Sequence, residues 1–281
     1  MAVFPPEKII SEFIPYIQKI IPTEEDEVLL AISEELPHFK SYLDGKQMTA
    51  VLPLFQLLLG CEETVVREST VEGLRKLVPS LSDEQVQKDL VPMVLNISNM
   101  EAFQWKVSSC YLIRICYPKA GKEKERLVNL YSKLCDDDTP IIKRTAAKEF
   151  GPLCLIIEKD TVKSEMLNYY KKFMNESDTV RVTILPSIVQ LAKIFQDAES
   201  QKVHIQNITS ASLDKSWRVR NELANLYPQF IDYFSNNSNV DLVQPICTLM
   251  KDSETEVKAS ALKALNAVIS KLPSDKVTSQ I

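Results

Sequence analysis

An aliphatic residue followed by a base recurs along the chain at intervals of 37 to 39 residues. The pairs that fit this description fully are Val66-Arg67, Ile142-Lys143, Val180-Arg181, Val219-Arg220 and Val257-Lys258. Val28-Leu29, which lacks the base, and Trp105-Lys106, which lacks the aliphatic residue, complete a set of seven. A fixed period of this length is typical of repeat proteins, in which each unit is one supersecondary structure that contacts its neighbours.

Apolar residues occupy four more columns when the seven units are aligned on the aliphatic position. The columns fourteen and eleven residues before it hold Ile14, Leu52, Val91, Val128, Met166, Ile205 and Val243, and Ile17, Phe55, Val94, Tyr131, Tyr169, Ile208 and Ile246. The columns eight and eleven residues after it hold Leu36, Leu74, Ile113, Phe150, Ile188, Tyr227 and Leu265, and Phe39, Leu77, Cys116, Leu153, Leu191, Phe230 and Val268. Spacing of three is helical rather than strand-like. A mostly small column three residues after the aliphatic position, which includes Ser69 and Ser108, lets a neighbouring helix approach closely.

Each repeat is therefore predicted to be a pair of amphipathic helices of about 13–16 residues that stacks on its neighbours. This is an all-α fold, an α-solenoid that forms a single domain over residues 1–281. The approximate repeats are 6–41, 46–80, 84–118, 122–157, 161–196, 200–234 and 240–273. Residues 274–281 match the start of a further repeat, because Ile281 falls on the first apolar column. We therefore expect the chain to be part of a longer array.

Composition argues against several classes of function. The chain has 5 glycines, whereas average usage predicts about 20, so glycine-rich phosphate loops and nucleotide folds are disfavoured. The only histidines are His38 and His204, and no nucleophile–histidine, paired-carboxylate or metal-ligand arrangement stands out. We expect no catalytic residue, no cofactor and no metal site. A net charge of −5 disfavours nucleic acid as a partner.

The cysteines and the chain start indicate the cellular context. All 6 cysteines stand in apolar runs without a C-x-x-C motif, which favours reduced structural thiols. The N-terminus lacks a signal-peptide pattern, and the longest apolar stretch, 51–61, is interrupted by Pro53 and Gln56. We expect no membrane contact, and a location in the cytoplasm and also in the nucleus.

The turn between the two helices of each repeat is the candidate binding surface. These turns are acidic, as in PTEEDE (22–27), DDDTP (136–140) and KDSETE (251–256). Acidic turns in series favour a partner with basic and hydrogen-bond-donating loops, although solvated turns and capping of the second helix are the alternative. Trp217 beside Arg218 has the composition of a binding hot spot, and its alternative is packing against the neighbouring turn.

The bases of the repeated pair are assigned differently. One base per repeat at the same helical position most simply pairs with an acid of the adjoining turn, which would give an inter-repeat ladder. Arg144 and Arg218 fall outside that column and are better candidates for partner contact. Pro140 suits the first turn of a helix, which Asp138 and Thr139 can cap. His204 is expected to open a helix, at a surface or interface position.

Helix pairs of about 38 residues with this aliphatic-base pair resemble HEAT repeats. Longer strings are similar to the scaffolding subunits of type 2A protein phosphatases, in that family's order: DEVLLAISEEL (26–36), EETVVRESTVEGLR (62–75), CYPKA (116–120), LCDDDTPIIKRTAAKEFG (134–151), DKSWRVR (214–220) and LMKDSETEVKASA (249–261). The family has fifteen repeats, and these seven resemble the second to the eighth. The chain departs from the family at Ala102, where a tryptophan is usual, at Trp105, where a small polar residue is usual, and at Lys143, which replaces an arginine.

The resemblance implies a non-catalytic scaffold. A regulatory B-type subunit would dock along the intra-repeat turns, and the catalytic subunit would bind the family's last repeats, which are not among these seven. The residues this assigns to the regulatory-subunit surface are Asp26, Glu27, Glu62, Glu63, Thr64, Glu101, Phe103, Trp105, Asp138, Thr139, Pro140, Lys143, Arg144, Asp178, Thr179, Lys215, Ser216, Trp217 and Arg218. Another HEAT-repeat adaptor, such as a nuclear-transport receptor, is the alternative, but longer and more divergent repeats would be expected there.

Overall fold

The structure is a computed structural model that describes residues 4–234 and 242–269. Over those two ranges the chain consists of helices and turns without a β-strand, as the sequence predicts. It divides into two compact units, Met1–Glu149 and Phe150–Ile281, and each is described by itself. Among the described residues, no helix is long and apolar enough to cross a membrane.

The first unit contains repeats one to three and most of repeat four. The second helices of these repeats are Asp26–Glu35, Thr64–Leu77, Phe103–Cys116 and Pro140–Cys154, the last of which runs past the end of the unit. The α-helical parts of the first helices are Ile14–Ile20, Leu52–Leu59, Val91–Ile97 and Lys124–Cys135. Short turns adjoin them: α-helical at Pro6–Lys8 and Asp83–Gln85, π-helical at Ile9–Phe13 and Val86–Leu90, and 3₁₀ at Ile21–Thr23, Leu36–Ser41, Met48–Val51, Val78–Ser80, Tyr117–Lys119 and Gly121–Glu123.

Proline explains why most of the first helices are broken rather than continuous over 13–16 residues. Pro15 and Pro92 are the second residues of their α-helical parts and have no N–H to give. The chain before each proline widens into a π-turn, in which the amide of Ile14 donates to the carbonyl of Ile9 five residues earlier. The predicted helix therefore exists, but it is assembled from two or three short pieces.

The predicted apolar columns form the core of the first unit. Phe55, Leu74, Val94 and Tyr131 are fully buried. The Tyr131 hydroxyl donates to the backbone carbonyl of Ala146 at 2.7 Å, so its one polar group is satisfied. Replacing Leu74 with Ala should cost about 2–5 kcal/mol of the free energy of unfolding through the cavity left behind.

The small residues permit the close approach that the sequence predicts in this unit. The hydroxyls of Ser33 and Ser69, on the second helices of repeats one and two, form a 2.7 Å hydrogen bond. The hydroxyl of Ser108 donates to the carbonyl of Leu59 at 2.8 Å. Larger side chains at these positions would push the repeats apart.

The second unit contains repeats five to seven. The first helix of repeat five is built from Lys159–Thr161, a π-turn at Val162–Met166 and Leu167–Phe173, and the others are Ala198–Ser212 and Val243–Met250. The second helices are Asp178–Ile184 with Ser187–Ile194, then Trp217–Phe234 and Thr255–Val268. Pro186 stands at the break in repeat five, while Pro228 lies inside the helix of repeat six without ending it.

Three predicted core positions are wrong by one residue. Leu29 rather than Val28 is buried in repeat one, and Tyr170 rather than Tyr169 in repeat five. In repeat six the buried residue is His204, in place of Ile205, and His204 lies within a helix instead of opening one. In repeat five the π-turn rotates the following residues, which shifts the buried face.

The predicted repeat 240–273 is described from residue 242 to residue 269. The predicted start of a further repeat at 274–281, including Ile281, lies outside the described residues. The prediction of a single domain with these repeat boundaries therefore stays a prediction.

Candidate partner-binding surface

The intra-repeat turns lead into the second helices through an extended residue. Glu25, Glu63 and Glu254 hold this N-cap position in repeats one, two and seven. The Glu63 carboxylate accepts the amide hydrogen of Val65 at 3.3 Å. Because negative charge is favourable at a helix N-terminus, part of the turn acidity stabilises the helices themselves.

An aspartate closes the turn in repeats four, six and seven. One carboxylate oxygen of Asp137, Asp214 and Asp252 accepts the backbone amide two residues later, at 2.7–2.9 Å. This is an Asx-turn, which fixes the backbone just before the second helix begins. At the Asp137 turn the predicted caps Asp138 and Thr139 are displaced, since Asp137 receives the Thr139 amide.

Each of these aspartates also binds the base of the preceding repeat. Lys106 Nζ lies 2.8 Å from Asp137 Oδ2 in the first unit. In the second unit both nitrogens of the Arg181 fork donate to Asp214 at 2.9 and 2.8 Å. The predicted inter-repeat ladder is thus present at these bases.

Arg220 forms the third rung, and both partners show it in their pKa. Its Nε and Nη2 donate to the two oxygens of Asp252 at 2.5 and 2.9 Å. The hydrogen bond from Arg220 outweighs burial and holds the pKa of Asp252 below its usual value, while that of Arg220 is raised. Burial alone raises the pKa of Asp137, but hydrogen bonds from Lys106 and Thr139 together lower it.

Arg67 shows what happens where the aspartate is missing. The matching position of repeat three is Met100. Arg67 turns back on its own repeat and donates to the carbonyls of Cys61 and Glu62, both at 2.6 Å, and to Thr64 Oγ1 at 3.0 Å. The base therefore braces its own turn when the next repeat offers no carboxylate.

Four predicted binding residues meet at the turns of repeats five and six. Asp178 accepts a hydrogen bond from Ser216 Oγ at 3.0 Å and one from Arg218 Nη1 at 3.3 Å. The hydrogen bond from Ser216, with a smaller effect of Arg218, lowers the pKa of Asp178. The Arg218 guanidinium lies 5.2 Å from the centre of the Trp217 ring, in a cation–π contact. Arg218 remains 61% exposed and Trp217 is half-buried, so the group is ordered yet accessible.

The aromatic residues of repeat three differ in their roles. The Trp105 indole fills the space next to Gly60 of repeat two. Phe103, the first residue of its helix, is 41% exposed. Trp105 therefore packs between repeats, and Phe103 is the aromatic side chain that faces solvent.

The other predicted binding residues divide by exposure. Those exposed to solvent are Asp26, Glu27, Glu62, Glu63, Thr64, Glu101, Phe103, Asp138, Pro140, Arg144, Thr179, Lys215 and Arg218. Those partly buried are Trp105, Thr139, Lys143, Asp178, Ser216 and Trp217. Their role in binding stays a prediction.

Sequence reasoning left Asp137, Asp214 and Asp252 out of the predicted set. They share one signal, since each lies five residues before the aliphatic position of its repeat. It also missed Arg114, whose Nε donates to buried Glu149 at 2.6 Å across the second helices of repeats three and four.

The described residues contain no group of three or more His, Cys, Asp or Glu side chains that could hold a metal ion. All six cysteines are free thiols. Burial raises the pKa of Cys110, Cys116 and Cys154, which keeps these thiols protonated and unreactive.

Comparison with known proteins gives no matching family model. The chain is 30% identical over 256 residues to a protein phosphatase PP2A regulatory subunit of the scaffolding type from Saccharomyces cerevisiae, covering 85% of this chain and 40% of that protein. It is 38% identical over 164 residues to the Dictyostelium discoideum protein phosphatase 2A scaffold subunit, covering 58% and 28%. It is 34% identical over 157 residues to the beta isoform of the human protein phosphatase 2A 65 kDa regulatory subunit, covering 55% and 26%. The chain thus spans two fifths or less of the length of these relatives.

Solved structures show the fold. A chain from the structure describing Kap95p binding to RanGDP matches with a TM-score of 0.66 at 15% identity, covering 96% of this chain and 37% of that one. A Kap121p mutant matches with a TM-score of 0.69 at 11% identity, covering 98% and 31%. These matches confirm the predicted α-solenoid class and, at such low identity, carry no more than the fold. The sequence relatives are named as regulatory or scaffold subunits, which confirms the prediction of a non-enzyme.

Proposed function

Because this chain belongs to the family of protein phosphatase 2A scaffolding subunits, we propose that it is a scaffold that docks a regulatory B-type subunit on its intra-repeat turns. The catalytic subunit is held by other repeats of the whole protein. The chain supplies position rather than chemistry.

The observation that carries the proposal is the arrangement of Asp178, Ser216, Trp217 and Arg218. An exposed arginine stacked on a half-buried tryptophan is the kind of anchor that dominates binding energy in protein interfaces. The hydrogen bonds to Asp178 hold Ser216 and Arg218 before a partner arrives. A surface ordered in advance loses less conformational entropy on binding.

The charge of the turns supports a partner of complementary chemistry. Glu62, Glu63 and Glu101 in the first unit are exposed, as is Asp138. Such carboxylates attract basic and hydrogen-bond-donating loops and disfavour nucleic acid, whose phosphates would be repelled. A protein with basic loops is therefore the expected partner.

A nuclear-transport receptor is the competing function. Its support is the likeness to Kap95p and Kap121p, at 15% and 11% identity. The 30–38% identity to phosphatase subunits favours the scaffold. The regular spacing of 37 to 39 residues points the same way.

The proposal includes a location in the cytoplasm and in the nucleus. Six free cysteines are typical of proteins in reducing compartments. Fractionation of cells that express the tagged chain tests this part separately.

Calorimetric titration of the chain with a recombinant regulatory B-type subunit, and separately with the catalytic subunit, tests the function. Saturable binding of the first and none of the second supports the proposal. Failure of a folded chain to bind the B-type subunit contradicts it, and binding of Ran loaded with GTP instead would favour the transport receptor.

A further inference from the structure

A cleft of about 870 Å³ lies in the second unit between the first helices of repeats five and six. One wall comes from Leu167–Phe173 and the other from Ala198–Ser212, while Leu191 and Phe195 belong to the preceding helix and its end. The volume falls within the range of sites that hold small organic molecules, about 300–1,000 Å³.

Two polar side chains in this cleft are buried without partners. Tyr170 is 5% exposed and His204 is 4% exposed, and both line the cleft. Within the described part of the chain, neither the Tyr170 hydroxyl nor either ring nitrogen of His204 makes a hydrogen bond. Buried polar groups are nearly always paired, because an unpaired one costs free energy.

These side chains occupy positions where the repeat pattern calls for apolar ones. Tyr170 replaces Tyr169 on the buried face after the π-turn at Val162–Met166, and His204 replaces Ile205. In repeats two and three, Leu52, Phe55 and Val91 fill the corresponding space with apolar atoms alone. The polar pair is thus a local feature of repeats five and six.

Two properties define what the cleft can bind. Leu167, Met174, Leu191 and Phe195 offer an apolar lining. Burial lowers the pKa of His204, which keeps its ring neutral, with one nitrogen that donates and one that accepts. The Tyr170 hydroxyl can also do both.

The charged rim is mixed, so it selects neither sign. Its bases are Lys159, Lys163 and Lys171, and its acids are Asp160, Asp197, Glu199 and Asp214. Neither an anion nor a cation meets a single-sign field there.

We propose that this cleft binds a small uncharged molecule that has an apolar, ring-sized body and a hydroxyl or amide head paired with Tyr170 and His204. The head reaches the polar atoms after a turn of the two side chains, which are closed to water when the cleft is empty. Asp214 lines the same cleft and also fixes the Ser216 amide, so the ligand would sit next to the turn that carries Trp217. This inference is independent of the partner that docks on the turns.

The test uses the full chain with ¹³C-labelled histidine, because His38 and His204 are its only histidines and give two separable ring signals. The probe is p-cresol, and toluene and p-toluate are the comparison compounds without a head and with a charged head. The expected result is saturable movement of the His204 signals alone, with p-cresol about fivefold or more tighter than toluene, as one hydrogen bond provides.

Two tyrosine variants make the test specific. Tyr170→Phe should weaken p-cresol about fivefold and leave toluene unchanged, whereas Tyr169→Phe should change neither. Tyr170→Phe should also fold, since it removes an unpaired hydroxyl, and His204→Gln gives the same test if it does not.

The proposal is overturned if p-cresol leaves the His204 signals in place up to its solubility limit. Equal binding of toluene and p-cresol overturns it as well. The same holds if the Tyr169 and Tyr170 variants behave alike, or if p-toluate binds most tightly.

Discussion

The indole ring of Trp105 occupies the space that a side chain at Gly60 would need. Gly60 ends the first helix of repeat two, and Trp105 belongs to the second helix of repeat three. The absence of a side chain in one repeat is therefore matched by the largest side chain in the next. This explains how a tryptophan fits where the related family has a small polar residue.

Gly60→Ala should lower the free energy of unfolding by about 1–3 kcal/mol, because the added methyl collides with the indole. Urea unfolding followed by circular dichroism measures the loss. Gly60→Ala in a Trp105→Ala background should cost much less, since the ring is gone. Equal costs in both backgrounds would show that the two residues are not coupled.

Asp214→Asn should destabilise the chain by about 3–5 kcal/mol, because it leaves the buried Arg181 without its carboxylate. The Asx-turn survives, since an asparagine oxygen still accepts the Ser216 amide. Asp138→Asn is the matched control, an exposed turn aspartate whose replacement should stay within about 0.5 kcal/mol. Similar melting of both variants would contradict a structural role for the ladder.

Trp217→Ala should weaken binding of the regulatory B-type subunit by about 2 kcal/mol or more, as expected for a hot spot. Its melting temperature should stay close to that of the parent chain. Tyr16→Ala is the control, because Tyr16 is exposed but lies on a first helix away from the turns. A Trp217→Ala chain that melts early would show that the tryptophan serves packing instead.

His204 should make stability depend on pH near neutrality. Burial lowers its pKa, although the nearby Phe195 carbonyl and Asp197 favour the charged ring. The unfolded chain then takes up a proton below a pH of about 6.5 more readily than the folded chain. The free energy of unfolding should be complete above that pH and decline as the pH falls through it.

Thermal melts at pH 7.5 and pH 5.5 measure this decline. His204→Phe should abolish the part that the histidine causes, whereas His38→Phe, at an exposed position, should keep it. A decline that is unchanged in His204→Phe would assign it to other groups.

Much of the fold follows from periodicity in the sequence. Helical spacing at Phe55, Leu74 and Tyr131 identifies buried positions, because burial repeats with the helix. The errors at Tyr169 and Ile205 arise where the periodicity is broken. A π-turn adds a residue to the helical turn, and no local pattern of side chains announces it.

The binding surface is less predictable than the core. Acidity and Trp217 identify the turns, but the rung between Arg220 and Asp252 joins residues 32 positions apart on adjacent repeats. Its geometry depends on how closely the repeats stack, which spacing along one helix does not specify. The paired acids become visible only when repeats are compared five residues before the aliphatic position.

The link from Asp178 to Ser216 and Arg218 sets the size of a portable docking module. A shortened chain that starts at repeat six keeps Trp217 but loses the carboxylate that orders its neighbours. A graft of this recognition element onto another solenoid must therefore carry two adjacent repeats together. The unit of inheritance for docking is a pair of repeats, although the unit of sequence is a single one.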